Sequence, residues 1–245
     1  MMKNITFRDP LFEIKGVSKS YGRVLVLRGI ELNIGFGEVL TILGANGSGK
    51  TTLINIAATL IKPDSGTVFM AGRDLLKVGQ VARKSIGVVT HSSLLYDELT
   101  GYENLKFTGR MFNLDFLDDR IDNVVRQLDV TDRIYDKIGI LSHGVRKRIS
   151  IARALLHDPT LLLMDEPSSG LDQHAVEMLT DVVNSWVVKR RSVLITTHVL
   201  DHTLMDNGRL AILSRGKIAY EQLVDSSTDF ASLRDRYIDF FGDVK

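Results

Sequence analysis

The 245-residue chain is long enough to bury a substantial core, in one large domain or in one core carrying an inserted subdomain. Its 44% hydrophobic and 25% charged content is that of an ordinary globular protein, and a formal net charge of +1 gives no overall field of the kind that gathers nucleic acid. The absence of cysteine excludes disulfides and thiolate metal sites, and no apolar run approaches the roughly 18–20 residues of a membrane-spanning helix.

In chain order, residues 11–17 and 24–34 read as short strands around a turn at Tyr21-Gly22. Residues 39–43 form a compact apolar run ended by glycines, as expected of a buried parallel strand. Residues 51–60 carry Leu53, Ile56, Ala57 and Leu60 at helical spacing; KPDSG at 62–66 is a turn and 67–71 another strand. Residues 104–136 are helical in pattern, with polar breaks near Asn113 and Asp129. A helix over 149–157, stopped by Pro159, precedes an apolar strand at 161–164. A helix at 175–188, a strand at 192–196 and a hairpin of 209–213 with 217–220 complete the series. Alternation of strands and helices predicts an α/β fold with a mainly parallel sheet. The helical stretch between about 100 and 150 breaks that rhythm and reads as an insertion.

GANGSGKT, at 44–51, fits G-x-x-x-x-G-K-[ST] between a predicted strand and a predicted helix, the context the motif requires. Gly44, Gly47 and Gly49, with Ala45, Asn46 and Ser48 between them, let the backbone wrap phosphates with its N–H groups turned inward. The helix N-terminus, Thr51-Thr52 in its first turn, adds partial positive charge. Lys50 supplies a full charge to the β- and γ-phosphates, and the Thr51 hydroxyl is a ligand for Mg²⁺. LLLMDEP, at 161–167, ends an apolar strand in two carboxylates. Asp165 is expected to hold Mg²⁺, usually through its water shell, and Glu166 to act as general base or to orient the water; the competing reading of Glu166 is an acidic cap for a helix after Pro167. SVLITTH, at 192–198, places His198 at the end of another strand, where an imidazole would hydrogen-bond the γ-phosphate and align Glu166 with the attacking water.

These elements, in this order, resemble the nucleotide-binding subunits of ABC transporters, over about residues 12–221. The distinguishing stretch is LSHGVRKRISIARALLHDP, at 141–159, similar to the family signature: a serine-glycine turn on a helix starting near Val145. The resemblance implies a RecA-like P-loop core, an N-terminal antiparallel β subdomain and an inserted α-helical subdomain at about 92–150, with 1–225 forming the nucleotide-binding domain and 226–245 a helical tail. It implies ATP and Mg²⁺, and two such subunits, most simply a homodimer, meeting head to tail. Ser142, His143 and Gly144 then reach the γ-phosphate held by the other subunit. His143 and Val145 depart from the usual Gly and Gln; the loss of an amide at Val145 implies weaker polar contact there. Arg146, Lys147 and Arg148 read as a solvated helix face. Tyr21 resembles the aromatic that stacks on adenine, against the alternative of a core or hairpin tyrosine. Ser168 to Asp172 resemble the D-loop, with Asp172 as its acid.

The family's active-site glutamine corresponds to His91. A neutral imidazole can accept through one nitrogen and donate through the other, so His91 is a candidate for Mg²⁺ or for the lytic water. LLYDELTGYENL, following His91, is similar to the run in ATPase subunits of the haem exporter of cytochrome c maturation. Leu94, Leu95 and Tyr96 would form either an apolar floor for a helix of an integral membrane transporter subunit or core of the helical subdomain. Phe230, Leu233, Tyr237 and Phe240/Phe241 fall on one helical face expected to pack back on the domain. With no N-terminal run of signal-peptide length, the resemblance implies a cytoplasmic protein, peripheral on the inner face of the membrane. The favoured activity is ATP hydrolysis energising transport, with export preferred. The alternatives are a soluble ABC ATPase acting on nucleic acid or ribosomes, against which the length and near-neutral charge argue, and a clamp that binds ATP without turnover.

Overall fold

The computed structural model describes residues 9–79, 83–199 and 208–224, together with residues 228, 233, 235, 237, 238 and 240. Two sheets organise these residues. Strands β1 (Phe12–Tyr21), β2 (Val24–Ile34), β4 (Ser65–Met70) and β5 (Arg73–Asp74) form an antiparallel sheet in the order β2-β1-β4-β5. Strands β3 (Val39–Leu43), β6 (Ile86–Val89), β7 (Leu161–Asp165), β8 (Ser192–Thr197), β9 (Gly208–Ser214) and β10 (Lys217–Val224) form the second, in the order β10-β9-β3-β8-β7-β6. All pairings there are parallel except β10 with β9.

The central strands are apolar throughout because both faces of the parallel sheet are covered. Side chains alternate between two cores. Leu40, Ile42, Leu161, Leu163 and Leu194 pack against α1 (Lys50–Ala57) and the inner face of the antiparallel sheet, where Phe12, Ile14 and Val17 of β1 lie buried. A register shift between Ile14 and Val17 returns Val17 to the core after the alternation breaks. Their neighbours Val39, Leu162, Met164, Val193 and Ile195 pack on the opposite side against α5 (His143–Leu155) and α6 (Gln173–Val188).

The inserted helices lie between β6 and β7. α3 (Gly101–Met111) begins three residues earlier than its apolar pattern suggests, because Thr100 and Glu103 form a reciprocal capping box. α4 (Leu117–Gln127) presents Ile121, Val124 and Val125 to the core. The two polar breaks are real: Asn113 and Asp129 sit just past the helix ends with φ of 52° and 46°. A short α2 (Leu75–Val78), capped by Asp74, follows β5; neither was legible from periodicity over so few residues. In the C-terminal segment Leu233 is buried with Leu43, Leu210 and Val224, and Tyr237 packs against them. Phe230 and Phe241 lie outside the described residues.

Parallel alignment brings the C-terminal ends of β3, β8, β7 and β6 to one edge. Leu43 pairs with Thr197, Asp165 with Thr196 and Val89 with Met164, so the loops after these strands open beside one another.

Candidate nucleotide site

The loop from Gly44 to Gly49 turns β3 into α1 so tightly that a side chain at Gly44 is excluded. A Cβ on Gly44 would lie 2.6 Å from Ser48 Oγ and 2.8 Å from Leu213 O. Gly49 caps α1 at φ 108° with no side-chain cap, leaving the first-turn N–H groups for another acceptor. Lys50 is 6% exposed; its Nζ donates to Gly44 O at 2.7 Å and Ala45 O at 3.2 Å, arching over the loop. Ser48 Oγ is buried with no partner among the described residues, as a group reserved for a polar ligand would be.

Asp165 ends β7 almost wholly buried. Thr196 Oγ1 donates to its Oδ1 at 2.6 Å and Thr51 Oγ1 to its Oδ2 at 2.7 Å, so one carboxylate joins β7, β8 and α1. Glu166 follows with φ 48°, and its N–H bonds Thr196 O at 3.0 Å. Its side chain bridges two cations or donors: Oε1 lies 3.3 Å from Lys50 Nζ and Oε2 lies 2.8 Å from His198 Nδ1. The capping alternative for Glu166 fails here, since the next helix starts at Gln173 and its cap is Asp172, whose Oδ1 accepts from Ala175 N at 2.8 Å.

Tyr21, Asn46, Gly47, Gly49, Lys50, Thr51, Thr52, His91, Asp165, Glu166 and His198 line one cavity of about 470 Å³. Tyr21 is 52% exposed at the end of the β1–β2 hairpin, which removes the core reading, and the Lys19 ammonium lies 5.9 Å from its ring centroid. His91 lines this cavity and a second one of about 430 Å³, shared with Leu94, Leu95, Asp97, His143, Arg146 and Lys147. The apolar run after His91 divides: Leu95 packs on the core, whereas Leu94 and Tyr96 are exposed, Tyr96 edge-on to the half-exposed Phe107 at 5.5 Å.

Ser142, His143, Gly144 and Asp172 do not line the 470 Å³ cavity of their own chain. Ser142 caps α5, accepting from Val145 N at 3.4 Å, and is exposed with His143 at the surface. His143 covers Gly170, where a Cβ would fall 2.3 Å from the ring Nδ1. The turn at His143 and the loop at Gly170 therefore touch within one chain.

The solvated face expected of Arg146, Lys147 and Arg148 is overturned. Lys147 is 6% exposed and donates to Thr90 O; Arg148 caps the carbonyls of Leu128 and Asp129; Arg146 reaches toward Leu141 O. Helical spacing alone cannot show that α5 lies against β6. Burial holds the Lys147 ammonium below its ordinary pKa, against the attraction of Asp165 and Glu166. Two further residues were not read as neighbours of the site. Thr196 was visible as a hydroxyl inside an apolar strand, and Tyr237 donates to His198 O at 3.4 Å from a segment far along the chain.

The oxygens of Thr51 and Asp165 stand together beside the phosphate loop, a donor set that suits a hard divalent cation. Among the described residues no three His, Cys, Asp or Glu side chains converge as a metal cage. A Mg²⁺ ion, which keeps several waters and takes further oxygens from phosphate, needs no such cage.

Residues 27–169 match the family described as ABC transporter. The chain is 35% identical over 227 residues, 91% of its length and 73% of the relative's, to the uncharacterized ABC transporter ATP-binding protein YdbJ of Bacillus subtilis (strain 168). It is 34% identical over 209 residues, 84% of its length and 68% of the relative's, to the Nod factor export ATP-binding protein I of Rhizobium sp. (strain N33). Among solved structures it resembles the dimeric post-hydrolysis state of the ATP-binding cassette MJ0796 bound to ADP and Pi, with a TM-score of 0.78, 26% identity, and coverage of 86% of this chain and 98% of that one.

Proposed function

The chain belongs to the ABC transporter family as an ATP-binding, ATP-hydrolysing subunit, and from that premise we propose that two copies close head to tail on ATP to drive export through an integral membrane partner. The observation that carries the proposal is Glu166 held between Lys50 and His198. The terminal phosphate of ATP competes with Glu166 for the Lys50 ammonium. Glu166, released from Lys50 and still oriented by His198, then accepts the proton of the attacking water. Tyr21 offers its ring to the adenine, and the loop from Gly44 to Thr52 takes the phosphates. Thr51 and Asp165 would hold Mg²⁺, with His91 facing the same space; the ion, when bound, offsets phosphate charge. His91 serves in place of an amide, accepting and donating at its two ring nitrogens.

Head-to-tail closure is supported by the position of Ser142, His143 and Gly144, outside their own nucleotide cavity, and by the dimeric state of the similar cassette. The second chain brings the N-terminus of its α5 to the phosphate. No helix among the described residues is long and apolar enough to cross a membrane, so a partner supplies the spanning segments. Exposed Leu94, Tyr96 and Phe107, beside the cavity that His91 shares, form the apolar surface we assign to that partner. The subunit then works at the inner face of the membrane. Export is supported by the Nod factor export relative. A haem cargo for cytochrome c maturation rests on His91 and the run from Leu94 to Leu105 alone, so export is the level at which we state the function. The near-neutral charge supports no nucleic-acid partner.

Glu166→Gln tests the reading. The variant should bind ATP, turn over at least about a hundredfold more slowly, and form an ATP-dependent dimer in light scattering that ADP does not produce. Turnover at the parent rate would remove Glu166 from the chemistry, and a monomer at saturating ATP would remove the closure.

A further inference from the structure

Among the described residues β6 is an edge strand, hydrogen-bonded by β7 on one side only. Backbone carbonyls alternate along a strand. Ser85 O faces β7, accepting from Leu161 N, so the carbonyls of Ile86, Val88 and Thr90 face the open side. One face of α5 and its following turn closes that side. His157 Nε2 lies 3.1 Å from Ile86 O, an Arg153 Nη donates to Val88 O at 2.8 Å, Lys147 Nζ donates to Thr90 O at 3.4 Å, and Ser150 Oγ donates to Ser93 O at 2.7 Å. Positions 147, 150, 153 and 157 recur at helical spacing, so a helix here replaces the missing strand.

Lys147 differs from the other three. It is buried within the field of Asp165 and Glu166, and its acceptor is the residue immediately before His91. It lines the second cavity and not the nucleotide cavity, so it has no direct hold on ATP. We propose that Lys147 is a positioning residue for ATP hydrolysis: its buried ammonium fixes the Thr90 carbonyl and thereby sets His91 in the cleft opposite Glu166 and His198. The proposal rests on the role given to His91 above. It also explains a buried cation on α5.

The test is steady-state ATPase kinetics on the full chain. Lys147→Met keeps an unbranched stem and removes the charge. Its kcat should fall roughly tenfold or more, since small misplacements of a reacting group are costly, while KM for ATP stays within about twofold. Lys147→Arg, which keeps a cation, should recover most of the rate. In a His91→Ala background Lys147→Met should change kcat by less than about twofold, because effects that act through one group do not add. A parental kcat for Lys147→Met, a rise in KM as large as the fall in kcat, or full multiplication of the two losses overturns the proposal. Parental turnover by His91→Ala alone is a different failure: it removes the His91 role itself. If Lys147→Met gives no cooperative melt, Lys147→Gln carries the same cycle, since its neutral amide is one bond shorter and cannot span a contact already at 3.4 Å.

Discussion

Lys50 and Glu166 meet at 3.3 Å with the lysine buried to 6% exposure, and that pairing sets what a phosphate gains on arrival. The ammonium is already desolvated and aimed by the carbonyls of Gly44 and Ala45, so little reorganisation accompanies binding. Lys50→Ala removes the cation from a site built around it. ATP affinity should drop by about 2–5 kcal/mol, the range for deleting one member of a buried, hydrogen-bonded charge pair. Calorimetric titration of ATP into the variant measures this, and parental affinity would remove Lys50 from the phosphate site. Lys50 and Thr51 were legible in sequence because they open the helix after a glycine-rich loop, and Asp165 and Glu166 because they stand at the end of an apolar strand. Lys147 and Tyr237 were not, for the opposite reason. Lys147 shares its pattern with surface cations, and only the docking of its helix on β6 buries it. Tyr237 approaches His198 across 39 positions of sequence, which no local pattern encodes.

At the scale of elements, α5 does two jobs that pull its composition in different directions. Its first turn, exposed at Ser142 and His143, is the end we propose meets phosphate, while its far end lies against β6. At that far end His157 follows the helix, stacked on Phe112 at 4.1 Å, with Nε2 on Ile86 O and a buried Nδ1 that has no partner among the described residues. Burial is the main reason its pKa falls from 6.5 to about 4, the Ile86 carbonyl pulling the other way and Arg153 reinforcing the fall. The unfolded chain therefore binds a proton that the native imidazole refuses. Native stability from this group is full above pH 6.5 and is lost as the pH drops through the interval toward about 4. His157→Gln keeps a donor for Ile86 O and cannot titrate. Urea midpoints at pH 7.5 and 5.0 should therefore differ less in the variant than in the parent, by an amount on the order of 1–3 kcal/mol. An equal pH dependence in both would place the titration elsewhere. Strand positions were readable from runs of apolar residues. Helix starts were less so: α5 begins at His143, not 149, because the Ser142 side chain caps it, and α3 begins at Gly101 because of Thr100 and Glu103. Caps outrank the apolar pattern they precede.

For the whole molecule, parallel order followed from alternation of strands and helices, and the insertion from a helical stretch that interrupted it. What the pattern could not supply was how the two sheets are joined. They meet at a buried ion cluster. Arg209 of β9, fully buried, donates to Glu38 at 2.7 Å, to Glu221 of β10 at 3.1 Å, and to the backbone carbonyl of Asn33 on β2. Glu38 also accepts from Gly35 N at 2.6 Å. In sequence the three charges, Glu38, Arg209 and Glu221, stand far apart, none adjacent to another. Burial raises the pKa of both glutamates, and Arg209 opposes that rise. Arg209→Met leaves two carboxylates in the interior without their counter-charge, which should cost about 3–5 kcal/mol of stability. The sign of its pH dependence follows. Without Arg209 the rise is unopposed, so the native variant binds more protons than its unfolded chain, and its deficit is largest at high pH and shrinks as the pH falls. Urea unfolding of parent and variant at pH 8 and pH 5.5 measures both quantities. A parental midpoint at pH 8 would mean that apolar packing alone holds the antiparallel sheet on the parallel one, and a deficit that grows on acidification would mean that the two glutamates do not carry it.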